Sequence, residues 1–163
     1  MMHLSGKQNG FSLLEVLIAL IVLSIGLLGH SKIQALGVRA GTDAHLQTEA
    51  TFLANDMIER MRANRPSVAS DYYAGINYAA IDCTGAPAKI CSEGTAGSAA
   101  DCIPTEMADE DAFDWFCEVT ATLPGGSVAV SSATGIYSVA VSWNGLDEDG
   151  NVQARSVATT LIP

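Results

Sequence analysis

The chain has 163 residues, enough for one domain and an N-terminal membrane anchor. Its 18 acidic residues outnumber the 8 basic ones, so the formal net charge is −10. Nucleic-acid binding requires clustered Lys and Arg side chains, and after Arg65 the chain has only Lys89 and Arg155. The composition therefore excludes nucleic acid as a partner.

An apolar run from Phe11 to Leu28 dominates the N-terminal region, and Glu15 is its only charged residue. As a helix, a run of this length measures about 27 Å, close to the about 30 Å of bilayer hydrocarbon. The run predicts a single membrane span, with Lys7 retained on the cytoplasmic side. The alternative is an ordinary secretory signal cleaved after small residues such as Ser24 and Gly26.

Glu15 is the unusual residue of this run. A carboxylate deep in a bilayer costs about 2.5–3.5 kcal/mol on insertion scales, so such a charge tends to have a partner. If the chain is cut between Gly10 and Phe11, the new terminal ammonium lies near the level of Glu15. Staggered helices could then pair the ammonium of one subunit with Glu15 of the next, which would set the register between subunits. The alternative is an anchor that tolerates the acid.

The residues from Lys7 to Leu20 read KQNGFSLLEVLIAL. They resemble the class III leader and N-terminal helix of type IV pilins and of the pseudopilins of type II secretion systems. The resemblance implies that a prepilin peptidase cleaves after Gly10 and N-methylates Phe11, and that Glu15 is the assembly glutamate. It also implies a single-pass protein of the bacterial inner membrane, with a periplasmic head, that later enters a pilus.

This interpretation divides the chain into four parts. Residues 1–10 form the leader, 11–30 the transmembrane or filament-core half of a long helix, 31–65 its amphipathic half, and 66–163 the head. In the amphipathic half, apolar residues recur at spacings of four, three, four and four and predict one buried stripe: Leu46, Ala50, Leu53, Met57 and Met61. Pro66 is predicted to end the helix.

The head is predicted to contain a loop region, 66–115, and a sheet, 116–163. The first predicted strand places alternate residues on one face: Cys117, Val119, Ala121 and Leu123. Turn signals at Pro124–Gly126, Asn144-Gly145 and Asp149–Asn151 separate the later runs. We expect an antiparallel sheet of three or four strands packed on the helix stripe, an α+β fold of the type IV pilin kind.

The four cysteines, Cys83, Cys91, Cys102 and Cys117, all lie in the part expected to be exported. An even number in an oxidising compartment predicts two disulfides, for which three connectivities exist. Pairing of nearest neighbours, Cys83 with Cys91 and Cys102 with Cys117, is favoured. A zinc site is the alternative, although no gap has the short spacing of common zinc motifs.

The head has no histidine, since the chain's only three are His3, His30 and His45. This excludes a Ser-His or Cys-His nucleophile there, and we expect neither an enzyme nor a cofactor. The turn from Asp147 to Asn151 partly resembles a calcium loop but lacks its full pattern. A plain hairpin turn is favoured over a weak calcium site at Asp147, Asp149 and Asn151.

The segment from Asp101 to Glu118 contains seven acidic residues and no basic one. Such a charge run usually forms a solvated face of a folded domain. The alternative is a docking surface for a basic partner.

Several later segments resemble a subfamily, the minor pilin V (PilV) or type IV pilus modification proteins. These segments are Met57–Asn64, Ala108-Asp109, Phe113–Trp115, Leu123–Gly126 and Tyr137–Trp143. The resemblance implies a low-abundance subunit that joins the major pilin and other minor pilins, primes assembly and sits in a tip complex, with a large tip adhesin as a further partner. Lys32 stands where many major pilins have a helix-kinking proline, which also favours a minor subunit.

Two other functions remain open at this stage. One is a minor pseudopilin of a type II secretion system, which would share the N-terminal motif. The other is an adhesive or ligand-binding module carried by a pilin anchor.

Overall fold

The computed structural model describes residues 12–91, 102–147 and 149–162. The chain divides into two compact units between Gly41 and Thr42. The helices are α1 (Leu13–Ala63), α2 (Arg65–Ala69), α3 (Tyr72–Gly75) and α4 (Pro104–Thr122), with a 3₁₀ turn at Tyr78–Ala80. The strands are β1 (Ser127–Ala133), β2 (Ile136–Leu146) and β3 (Val152–Leu161).

Helix α1 begins just after Ser12, whose hydroxyl accepts a hydrogen bond from the backbone N–H of Leu14 at 3.3 Å. The helix ends at Ala63, slightly earlier than expected, and Asn64 separates it from α2. Pro66 lies in the first turn of α2, where the missing backbone N–H has no helical partner to lose. The proline therefore starts a second helix after the first has ended.

The three strands form one antiparallel sheet in the order β1-β2-β3, which confirms the predicted sheet. The β1–β2 hairpin turns at Thr134-Gly135, with φ angles of 52° and 78°. Positive φ at both central residues is the requirement of a type I′ turn.

The turn predicted at Asn144-Gly145 was wrong. Both residues lie within β2 and pair with Ala154 and Gln153 of β3. A Cβ added to Gly145 would lie 3.0 Å from Cγ of Arg155. The glycine therefore makes room for a side chain of the neighbouring strand, and the hairpin follows after Leu146.

The strand predicted over Cys117–Leu123 was also wrong, because α4 continues to Thr122. Buried residues recur along α4 at spacings of four, three and four: Ala108, Ala112, Trp115 and Val119. Residues four apart satisfy both a helical and an alternating pattern, so the short window at Val119 and Leu123 fitted either period. Helix α4 thus replaces the end of the predicted loop region and the first predicted strand.

One core is shared by the second part of α1, α4 and the sheet. The predicted stripe on α1 is confirmed, since Ala50, Leu53, Met57 and Met61 are at most 2% exposed and Leu46 is half-buried. Strand β2 contributes alternate buried residues: Tyr137, Val139, Val141 and Trp143. The fold is therefore α+β, with a long N-terminal helix packed on a small antiparallel sheet.

Candidate assembly site

Glu15 lies in the first turn of α1 and is exposed. Its backbone N–H donates to the carbonyl of Ser12 at 3.0 Å. A carboxylate in this turn is favoured because the N-terminal end of a helix carries partial positive charge. The predicted processing residues, Gly10 and Phe11, lie outside the described residues.

The first part of α1 presents an apolar surface on all sides. Its large apolar side chains between Leu13 and Val38 range from 44% exposed at Leu36 to 90% at Leu13. Within the described residues, α1 is the one helix long and apolar enough to cross a membrane, with a window of mean hydropathy 2.3, none of it buried. A secretory signal would meet the same test of length and composition. Exposed apolar area of this extent requires lipid or other helices to cover it.

Two disulfides are present, which confirms their predicted number. The structure pairs Cys83 with Cys117 and Cys91 with Cys102, so the favoured nearest-neighbour pairing was wrong. Cys102 precedes α4 and Cys117 lies in its later turns, so about 20 Å of helix separates them. A disulfide needs Cα atoms within about 7 Å, and the helix that the prediction missed therefore rules out that pairing.

Acidic side chains of α4 contact residues at or near both cysteines of the Cys91–Cys102 disulfide. Glu110 is 5% exposed and accepts the backbone N–H of Cys91 at 2.8 Å. Glu106 accepts from Lys89 Nζ at 2.7 Å and from the N–H of Ile103 at 3.0 Å. The hydrogen bond from Lys89, followed by that from Ile103, lowers the pKa of Glu106. These acids have a structural role in the head.

Asp111 connects α4 to the end of α1. Its carboxylate accepts from the hydroxyl of Tyr73 at 2.8 Å and lies 3.4 Å from Nη1 of Arg60. Burial raises the pKa of Asp111, although the hydrogen bond from Tyr73 and the charge of Arg60 act in the opposite direction. Asn64 donates to the Tyr73 hydroxyl at 3.1 Å and to the carbonyl of Pro104 at 2.7 Å.

The acid-rich segment is therefore only in part the solvated face that was expected, and the docking-surface alternative stays a prediction. Four of its acidic side chains contact other parts of the head: Glu106, Asp109, Glu110 and Asp111. A period of four, three and four in the apolar residues of α4 was the available signal, because it puts these acids at the margins of a buried stripe. The Tyr73 and Asn64 contacts had no signal in the local sequence.

The predicted calcium turn is closed by its own hydrogen bonds. Oδ1 of Asp147 accepts the backbone N–H groups of Asp149 and Asn151 at 3.0 and 2.7 Å, and Oδ2 accepts the Asn151 side-chain amide at 3.1 Å. The hydrogen bonds from the backbone and side chain of Asn151 are the main reason why the pKa of Asp147 is lowered. Across residues 12–91, 102–147 and 149–162, no group of three or more His, Cys, Asp or Glu side chains could hold a metal ion. The hydrogen bonds that Asp147 accepts support the hairpin-turn interpretation.

The model of a pilin family, described as type IV pilin Tt1218, matches residues 32–113, about half of the chain. The chain belongs to this type IV pilin family. The prokaryotic N-terminal methylation motif matches residues 5–29 of the pilin, a range that includes Gly10, Phe11 and Glu15. No curated protein and no solved structure matches the chain. The motif implies pilin partners and processing by a peptidase, and together with the apolar α1 it indicates membrane anchoring.

Proposed function

We propose that this pilin is a minor subunit of a type IV pilus, of the minor pilin V kind, which primes assembly together with other minor pilins and lies near the pilus tip. The observation that carries the proposal is the order of the N-terminal features. A methylation motif over residues 5–29 coincides with the exposed apolar part of α1, and the pilin match at 32–113 follows.

In this proposal the N-terminal part of α1 mediates assembly of the subunit into the pilus. Prepilin peptidase cleaves after Gly10 and methylates Phe11, and the uncovered apolar surface of α1 exchanges lipid for neighbouring helices. Glu15 of the entering subunit pairs with the terminal ammonium of its neighbour, so that neither charge remains unpaired in an apolar environment. The head projects into the periplasm before it enters the pilus.

Support for the minor role comes from the segments that resemble the minor pilin V family. Two of these segments have a defined structural role in the head. Leu123–Gly126 makes the tight connection between α4 and β1, and the Tyr137 hydroxyl donates to the carbonyl of Val68 at 2.7 Å. Lys32, in place of a proline, supports the same assignment.

Intact-mass measurement of the membrane-extracted protein tests the processing step. In cells with prepilin peptidase, the mass should correspond to loss of residues 1–10 and gain of one methyl group. In cells without the enzyme, the full chain should persist. A chain cleaved after the apolar run, or one unprocessed in both strains, would contradict the proposal.

Quantitative mass spectrometry of sheared pili tests the minor role. We expect far fewer copies of this chain than of the major pilin, co-purification with other minor pilins, and fewer pili when the gene is deleted. Copy numbers equal to the major pilin would reject the minor role. Co-purification with secretion-apparatus subunits alone would instead indicate a pseudopilin. Tight binding of a host surface by the protein with other pilins absent would indicate an adhesive module.

A further inference from the structure

A cavity of about 530 Å³ lies where α1 and β3 both end. Its volume is in the range of sites that accommodate a ligand of several functional groups or a few side chains. The lining is apolar except for two arginines: Met61, Arg62, Arg65, Val68, Ala69, Leu161 and Ile162. Ile162 is 76% exposed, so an occupant would cover apolar area that is now open to water.

The two arginines give this cavity a positive charge in an acidic protein of formal net charge −10. Arg62 forms an ion pair with Glu59. Arg65 is exposed and has no carboxylate partner among the residues that the structure describes. An occupant with apolar side chains and an unpaired carboxylate would complement both the lining and the charge.

The β2–β3 hairpin has this chemistry. Leu146 and Val152 face each other across the hairpin and are 46% and 68% exposed. Asp147 and Asp149 lie between them in the chain, and Asp149 is exposed. We call these four residues the acidic hairpin.

The cavity and the acidic hairpin lie at opposite ends of the head. Strand β3 leads from Val152 to Leu161, a distance of about 30 Å. Helix α1 runs beside it in the same direction, because Asp43 lies 3.7 Å from Arg155 and Met61 lines the cavity together with Leu161. The acidic hairpin of one head cannot reach its own cavity.

We propose that the cavity binds the acidic hairpin of a second copy of this chain. Leu146 and Val152 would cover the apolar lining, and Asp149 would pair with Arg65. Because the two surfaces differ, the contact is heterologous and leaves one cavity and one hairpin free at the ends of every pair, so it can repeat along a stack of heads. This inference rests on the complementarity of the two ends and goes beyond the proposed minor role, which requires no contact between copies.

A photo-crosslinking amino acid in place of Ile162 tests the contact in the full-length protein. Two differently tagged copies are expressed together in the membrane of piliated cells and irradiated. We expect a covalent dimer that carries both tags, with the cross-link mapped by peptide mass spectrometry to residues 146–152.

Charge-reversal variants test whether Arg65 pairs with Asp149 in this contact. Arg65→Glu in the copy with the crosslinker should reduce the dimer about tenfold, as expected for a change of about 1.4 kcal/mol in contact free energy. Asp149→Lys in the other copy should restore it. Asp82→Lys, which makes the same charge change elsewhere on the head, should not. Restoration by both lysine variants would show that the effect is one of overall charge and would overturn the proposed pairing.

Three further outcomes separate this inference from the proposed function. A cross-link to lipid or to a different pilin would overturn binding of a second copy. A second outcome is that the copies with unchanged Arg65 and Asp149 form no dimer but are still processed normally and enter pili. That result would overturn this inference and leave the proposed function intact. A chain that is never processed would instead contradict the proposed function.

Discussion

The indole N–H of Trp115 donates a hydrogen bond to the backbone carbonyl of Leu53 at 2.8 Å. Trp115 is 0% exposed, and its ring meets that of Tyr78 edge to face with centroids 5.8 Å apart. This one side chain therefore connects α4 to α1 by a directional contact and fills the space between them. Helix α4, which was not predicted from the sequence, packs on the predicted helix α1 at this point.

Replacing Trp115 by Phe should lower the free energy of unfolding by about 1–3 kcal/mol, because the change removes a buried hydrogen bond and part of the packed ring. Trp143→Phe is the matched control. Trp143 is 4% exposed, and its indole nitrogen has no hydrogen-bond partner in the described structure. Denaturant unfolding of the purified variants compares them, and equal losses would show that the hydrogen bond to Leu53 contributes nothing.

Removal of either disulfide should destabilise the head, more so for the longer loop. The pairs are 34 and 11 residues apart, and chain entropy gives about 4 and about 3 kcal/mol for loops of these lengths taken separately. The double variants Cys83→Ser/Cys117→Ser and Cys91→Ser/Cys102→Ser would be compared by denaturant unfolding. Peptide mapping without reduction checks the connectivity, and a peptide joining Cys83 to Cys91 would contradict the structure.

Gly126→Ala should destabilise the connection between α4 and β1. A Cβ at this position would lie 2.6 Å from the carbonyl oxygen of Val119, so the backbone would have to shift. We expect a loss of about 1–3 kcal/mol, as for other overpacked sites. Gly75→Ala is the control, because no atom lies within 4 Å of its added Cβ. A similar thermal unfolding midpoint for the two variants would contradict the argument.

The protein should lose stability as the pH rises above about 10, the ordinary pKa of tyrosine. Burial raises the pKa of Tyr73, Tyr78 and Tyr137 above this value. Above pH 10 the folded state keeps protons that the unfolded state has released, so each tyrosine lowers the free energy of unfolding by up to about 1.4 kcal/mol per pH unit.

Denaturant unfolding at a series of alkaline pH values, with tyrosinate absorbance as a second measure, checks this prediction. Tyr137→Phe should make the pH dependence less steep. It should also reduce stability at neutral pH, because the hydroxyl donates to Val68 and Asp71. An unchanged slope in this variant would exclude Tyr137 as a source of the effect.

If Glu15 sets the register as proposed, Glu15→Ala should still insert in the membrane but should enter pili poorly, since the terminal ammonium of a neighbour would then have no partner. Membrane fractionation and the amount of the variant in sheared pili measure the two steps separately. Glu49→Ala, which removes an acid from α1 outside the apolar run, is the control and should assemble normally. Normal incorporation of the Glu15 variant would argue against the register role.

Sequence periodicity was reliable where one pattern extended over several turns. The α1 stripe from Ala50 to Met61 is buried as predicted, because apolar residues repeated at helical spacing over about four turns leave no other face for the core. The strands β1 to β3 were also recognisable. Short windows were less reliable, since the alternation at Cys117–Leu123 belonged to a helix and Asn144-Gly145 belonged to a strand.

The sequence by itself determined the anchor, the processing motif, the amphipathic stripe and the presence of two disulfides, because each depends on composition or on short-range spacing. Tertiary structure alone decided the disulfide pairing, the burial of Glu110, the partial burial of Asp111, and the opposite placement of the arginine-lined cavity and the acidic hairpin. These features depend on which segments meet in space. Long-range packing, through contacts such as Trp115 with Leu53, selects among several arrangements that the local sequence permits equally well.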